Sequence, residues 1–172
     1  SVQLCDRQLD YDYLAIGMGG QVSWFGNDHW AEHAPGLKTL DDALHIRRQV
    51  LRSYEQAESI DDPEERKKLT TIVVVGGGPT GVELAGAMVE LARRVFRRDF
   101  RRMDPTQSRV ILLEGGPRVL DMFPDPLPEK GAKQLRELGV EVRLNSMVAD
   151  VTAEGVTLAD GEFIASRNVL WG

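Results

Sequence analysis

Residues 71 to 87 read TIVVVGGGPTGVELAGA. This stretch constrains the fold more than any other in the chain. The β-branched run Ile72-Val73-Val74-Val75 predicts a strand, Gly76-Gly77-Gly78 a tight turn, and Val82-Glu83-Leu84-Ala85 a helix. Strand, glycine turn and helix in that order make the arrangement that holds a dinucleotide pyrophosphate. Gly76 permits the turn, Gly78 lets backbone approach the phosphates, and Gly81 lets the helix pack closely. Unpaired N–H groups and the dipole at the helix N-terminus then meet the negative charge. A glycine turn alone is weak evidence; here both flanks have the required character. A P-loop is excluded, because its lysine position holds Val82.

A dinucleotide fold also needs an acidic residue at the end of its second strand, to accept the adenosine ribose hydroxyls. Glu114 directly follows Val110-Ile111-Leu112-Leu113, and Gly115-Gly116 give it room. It lies 33 residues beyond Gly81, against the usual spacing of about 20. A long intervening helix and the loop 103–108 account for the excess. A carboxylate there repels a 2′-phosphate and so favours NADH over NADPH, although Arg118, four residues on, offers a counter-charge. The plain alternative is a solvated strand-end carboxylate. Glu83 is expected in the first helical turn, where the dipole alone favours it by about 0.3–1 kcal/mol; that position also suggests a role at the nicotinamide end.

The remaining pattern surrounds this unit. Short strands are expected at Val2–Leu4 and Gln8–Tyr11, a strand at Tyr13–Ile16, and a loop over Asn27–Gly36. Helical spacing runs from Leu40 to Ile60, with a second stretch at Pro63–Leu69. The fingerprint helix is expected to continue from Thr80 to about Met103, where Asp104-Pro105 stops it. Beyond the strand Arg109–Leu113, a helix over Pro128–Leu138 ends at Gly139, followed by a strand at Val140–Leu144. Three short strands near Val148–Thr152, Val156–Leu158 and Phe163–Ile164 form a meander, and Val169–Trp171 closes the sheet. The fold class is therefore α/β: a Rossmann-like domain with a central parallel sheet, flanking helices and a small antiparallel meander. Residues 1–70 are expected to be a connecting segment and 71–172 the dinucleotide-binding domain.

Composition narrows the function. The net charge of −6 argues against a nucleic-acid partner. No apolar run approaches the ~18 residues of a membrane span. The single cysteine, Cys5, excludes an internal disulfide or a redox pair and is compatible with a reducing cytoplasm. His29, His33 and His45 form no metal motif, so no metal site is expected, and no general acid, base or nucleophile stands out as catalytic. Arg93, Arg94, Arg97, Arg98, Arg101 and Arg102 read as a solvated helix face, with membrane-surface or partner docking as the sharper alternative.

Taken together, the chain resembles the type II NADH dehydrogenases, the single-subunit FAD-dependent NADH:quinone oxidoreductases. GGGPTGVELAGAMVEL (76–91) is similar to that family's fingerprint, YDYLAIGMGGQVSWFG (11–26) to its segment leaving the flavin domain, and APGLKTLDDALHIRRQVL (34–51) to the helix entering the NADH domain. LLEGGPRVLDMFP (112–124) resembles its second-strand segment and NVLWG (168–172) its return strand. Gly17-Met18-Gly19 stands where the family has Ala-Leu-Gly or Ala-Thr-Gly. The resemblance implies NADH as ligand, FAD as a cofactor bound mostly by segments outside this sequence, and quinone as acceptor. It also implies a peripheral place on the cytoplasmic face of a membrane; a homodimer is a further candidate assembly. Gly76, Gly78, Pro79, Thr80 and Gly81 would hold the pyrophosphate and Glu114 the ribose. Val148 would pack on adenine, and Glu83 and Gly172 would lie near the nicotinamide. A chain that begins at Ser1 and stops at Gly172 is then expected to be the NADH-binding domain of a longer enzyme, alone inactive. Two rivals stay open: the corresponding domain of a disulfide or ferredoxin reductase, and a non-catalytic NAD(H) sensor.

Overall fold

The computed structural model describes residues 1–96 and 99–172. Its centre is a four-stranded parallel sheet in the order β5-β4-β3-β9, built from β3 (Thr71–Val75), β4 (Arg109–Leu113), β5 (Glu141–Arg143) and β9 (Asn168–Trp171). All five residues of β3 and all four of β9 are buried. A strand covered on both faces needs a nearly continuous apolar run, because neither set of alternating side chains reaches water; only the first residues, Thr71 and Asn168, are polar.

The two faces are covered differently. Ile72, Val74, Val110, Leu112 and Leu170 point to the helices α1 (Leu40–Ser59), α3 (Pro79–Glu90) and α4 (Leu127–Leu138). Val73, Val75, Ile111, Leu113, Val169 and Trp171 point the other way. There they meet the antiparallel meander of β6 (Val148–Thr152), β7 (Gly155–Leu158) and β8 (Phe163–Ala165), through Val151, Val156, Leu158 and Ile164. The period of two along each strand thus divides the apolar side chains into two cores.

Local sequence sets the helix ends. Thr39 and Asp42 form a reciprocal capping box at the start of α1. Asp62 caps α2 (Pro63–Leu69), whose first residue is proline. Gly139, at φ 98°, ends α4 in the left-handed conformation. Helix α1 contributes Ile46, Val50, Tyr54 and Ala57 to the same core as β3 and α3.

Four expectations need correction. Tyr13–Ile16 forms no strand: it has no pairing partner, and Tyr13 and Ile16 are exposed. The first hairpin is confined to β1 (Val2–Gln3) and β2 (Gln8–Leu9). Helix α3 ends at Glu90 and passes into a π-helical turn over Leu91–Val95, so it does not run unbroken to Met103. The segment expected as a loop contains a 3₁₀ turn, Asp28–Glu32, with Trp30 buried. Of the arginine face, Arg97 and Arg98 lie outside the described residues. Arg93 donates to the Leu138 carbonyl, while Arg94 and Arg102 pair with Glu90 and Asp61.

Candidate functional site

The strand order reverses direction between β3 and β9: from β3 the chain moves outward through β4 to β5, then returns to β9 on the other side. In open α/β sheets the crevice at the C-terminal ends of the strands flanking such a switch point is where ligands bind. The glycine turn lies there, because Gly76 follows β3 and Gly172 follows β9.

Backbone contact shapes the turn. Gly76 has φ 106°, and a Cβ on it would stand 2.8 Å from the Gly172 carbonyl oxygen. A Cβ on Gly81 would stand 1.9 Å from the Gly76 carbonyl oxygen. The first turn of α3 therefore sits directly against the turn that precedes it, and only glycine permits this. Gly78 differs: its φ is −71° and nothing lies within 4 Å of the position a Cβ would take. The first bond of the α3 ladder runs from Val82 N–H to the Gly78 carbonyl at 3.0 Å. The Thr80 and Gly81 N–H groups come before that ladder and make no intrahelical bond.

Side-chain hydrogen bonds define the other wall. Glu114 Oε2 accepts from Gly77 N–H and Oε1 from Gly116 N–H, both at 2.6 Å. The carboxylate thus joins the end of β4 to the glycine turn of β3. The chain after β5 is held to the same place, with Ser146 N–H donating to the Glu114 carbonyl and Asn145 N–H to the Gly116 carbonyl. This brings Met147 and Val148 over the cleft; a Cβ on Gly115 would meet the Met147 side chain at 2.8 Å.

The cleft encloses about 570 Å³ and is mainly apolar. Of the residues expected at the site, Gly76, Gly78, Glu114, Val148 and Gly172 line it together. Pro79, Thr80 and Gly81 form the first turn of α3 behind its wall. Glu83 is a correction. The helix starts at Pro79, which makes Glu83 its fifth residue and puts it beyond the first turn, exposed and off the cleft lining.

The cleft also has an aromatic wall that is not expected from the sequence. Phe25, Trp30 and Trp171 line the cleft at its β9 side, with the Trp30 and Trp171 ring centroids 5.8 Å apart and Phe25 6.4 Å from Trp171. Trp171 Nε1 donates to the Ser23 carbonyl and Trp30 Nε1 to Asp150 Oδ1. Trp171 stood directly before Gly172 in a strand expected to flank the turn, so alternation gave a signal for it. Phe25 and Trp30 lie far away in sequence and carry no periodic signal. Among the described residues no three His, Cys, Asp or Glu side chains converge as a metal site would require, and no helix is long and apolar enough to cross a membrane.

The architecture and the sequence agree with known proteins. The chain is 48% identical over 160 residues to a type II NADH:quinone oxidoreductase, Ndh, of Mycobacterium tuberculosis, and 47% identical over 150 residues to a second from that organism, NdhA. These alignments cover 93% and 87% of this chain but 35% and 32% of the relatives, so the chain spans about a third of their length. Its fold matches NDH2 of Plasmodium falciparum, solved in complex with NADH, with a TM-score of 0.82 and 26% identity, over 95% of this chain and 34% of that one. The sequence pattern of pyridine nucleotide-disulphide oxidoreductases matches residues 2–172, and the chain belongs to that family.

Proposed function

We propose that this chain binds NADH in the β3/β9 cleft and presents its nicotinamide to FAD, as the NADH-binding part of a type II NADH:quinone oxidoreductase. Residues 71–172 form the binding domain in this reading, and residues 1–70 connect it to a flavin domain, with α1 packed onto the sheet. The observation that carries the proposal is the joint placement of the glycine turn and Glu114 on one cleft at the switch point.

The residues fit the ligand. A pyrophosphate needs donors and open backbone: Thr80 and Gly81 offer N–H groups ahead of the helix ladder, and the space above Gly78 is empty. Each Glu114 oxygen accepts one backbone N–H, which leaves it a second lone pair for a ribose hydroxyl. Val148 and Met147 supply an apolar surface for adenine. Gly172 lies by the nicotinamide, next to the aromatic wall of Phe25, Trp30 and Trp171. Glu83, further along α3, would reach the nicotinamide end only from outside the cleft lining. In the whole protein FAD supplies the two-electron acceptor for the hydride, and electrons continue to quinone. The protein in this reading is peripheral on the cytoplasmic face of a membrane.

Isothermal calorimetry of the full chain with NADH tests the binding claim. Saturable binding that weakens more than tenfold in Gly78→Val is expected; no binding by the folded wild-type chain would overturn it. The purified chain should also be colourless and lack NADH:quinone activity. A flavin absorbance band that survives gel filtration would overturn the assignment of FAD to other segments.

A further inference from the structure

We propose that Asp121 and Asp125 govern coenzyme choice by clamping Arg118, the cation nearest Glu114 in the strand-end loop, so that it does not serve a 2′-phosphate. The inference rests on the NADH reading above and deepens it: the ribose end of the cleft would be defended twice, by a negative charge in place and by a positive charge withheld.

The loop places Arg118 at the rim of the cleft. Two residues before it, Gly116 N–H is bound to Glu114 Oε1. Two residues after it, Leu120 N–H donates to the Gly77 carbonyl at 2.7 Å. Leu120 holds φ 54°, a conformation costly for a branched side chain, and Val119 is fully buried. The backbone on both sides of Arg118 is therefore fixed to the two walls of the site. An arginine here could turn its guanidinium toward a phosphate at the ribose 2′ position. Instead its Nε and Nη1 donate to Asp121 Oδ1 and Asp125 Oδ1, at 2.5 and 3.0 Å, and Nη2 reaches the Asp121 carbonyl at 3.3 Å. All three nitrogens are taken up by partners within the same loop, and Arg118 is not among the residues that line the cleft. The Asp121 hydrogen bond, the nearby carboxylates and the Asp125 bond hold the guanidinium pKa above its usual value. Cations on the neighbouring strands are committed as well: Arg109 pairs with Glu141, and Arg143 with Glu141 and Glu162.

The pairs are partly exposed, so the clamp is modest and its release should be read as a ratio. The test titrates NADH and NADPH into the full chain at one fixed ionic strength. Glu114→Gln serves as the background, because it removes the like charge and leaves only the cation's availability to vary. Adding Asp121→Asn and Asp125→Asn should lower the NADPH Kd about five- to tenfold and leave the NADH Kd within twofold. Adding Arg118→Ala as well should return the NADPH Kd to that of Glu114→Gln. An unchanged NADPH Kd on clamp removal overturns the proposal. So does a gain that survives Arg118→Ala, which would come from loss of two negative charges rather than from a freed guanidinium. The single substitutions Asp121→Asn and Asp125→Asn, each expected to give part of the gain, keep the test decisive if the combined variant melts early. Wild-type titration with NADH separates the two readings: failure there removes the functional proposal, whereas NADH binding with no clamp effect removes this one alone.

Discussion

The two walls of the cleft are held by different physics. On the β3 side the turn Gly76–Gly81 is fixed by backbone against backbone: Gly76 against Gly172, and Gly81 against Gly76. On the β4 side the wall is fixed by side chains: a carboxylate shared between Gly77 and Gly116, and a guanidinium held by two aspartates. Close backbone contact tolerates almost no change in shape, because there is no rotamer to relax. Polar side-chain contacts tolerate more, since solvent and neighbouring groups compensate in part. The first wall should therefore fail abruptly under substitution and the second by degrees.

The largest effect is expected from Gly81→Ala. Its methyl would need to occupy space 1.9 Å from a carbonyl oxygen that belongs to backbone. Overpacking in a core costs about 1–3 kcal/mol, and here the neighbour has no flexible end to move, so a loss of about 3 kcal/mol is expected. Denaturant unfolding measures it. A variant as stable as wild type would mean that the turn has slack, and the contrast between the walls would collapse.

Gly78→Val separates fold from binding within that same wall. The position is open and its φ of −71° suits any residue, so stability should change by no more than about 1 kcal/mol. The branched side chain would stand where the phosphates approach, and NADH affinity should fall more than tenfold by calorimetry. Wild-type affinity in the folded variant would reduce the turn to a structural one.

How far the sequence foretold this contrast depends on the range of the forces involved. Strands β3, β4 and β9 were legible because an apolar β-branched run buried on both faces looks alike whatever covers it. Helix α1 was legible from its spacing and Thr39–Asp42. Tyr13–Ile16 has the same apolar character but no partner strand, and partnership is not a local property. Asp104-Pro105 marked where the fingerprint helix had to stop, yet the α-helix gives way at Leu91, where a π turn takes over. At the site, the position of Glu114 followed from strand order. Its two backbone N–H partners did not, since Gly77 comes near only when β3 and β4 pair. Phe25 and Trp30 reach the cleft through contacts with Trp171, more than 100 residues away, and nothing in their own neighbourhood signals it.

Glu114→Gln probes the second wall at its centre. An amide keeps one acceptor oxygen, but it turns an NH₂ donor toward Gly77 N–H or Gly116 N–H, where an acceptor stood. Stability should fall by about 1–2 kcal/mol, the cost of a donor left unsatisfied. The lost charge-assisted bond to the ribose, worth about 1.5–3 kcal/mol, should weaken NADH binding by at least tenfold and narrow its margin over NADPH. Titration of both coenzymes at one salt concentration checks this. An unchanged ratio would leave Glu114 as a structural link between the walls with no part in coenzyme choice.

The smallest effect, and the sharpest limit on the comparison, is expected from Arg118→Ala in the wild-type background. The arginine has short contacts with Asp121 and Asp125, which alone would suggest that it fastens the loop. Yet its side chain is 42% exposed and its partners more so, at 74% and 86%. Exposed ion pairs contribute about 0.2–1 kcal/mol, and the substitution also relieves the entropy cost of holding a long side chain in one geometry. The loop has stronger anchors in fully buried Val119 and in the Leu120 N–H bond to Gly77. Global stability should therefore change by less than about 0.5 kcal/mol in urea, and added salt should narrow the difference further. NADH affinity should not move, because Arg118 is not among the residues that line the cleft. A loss of 2 kcal/mol or more would show that the ion pairs themselves fasten this wall, and the wall would then fail as abruptly as the glycine turn.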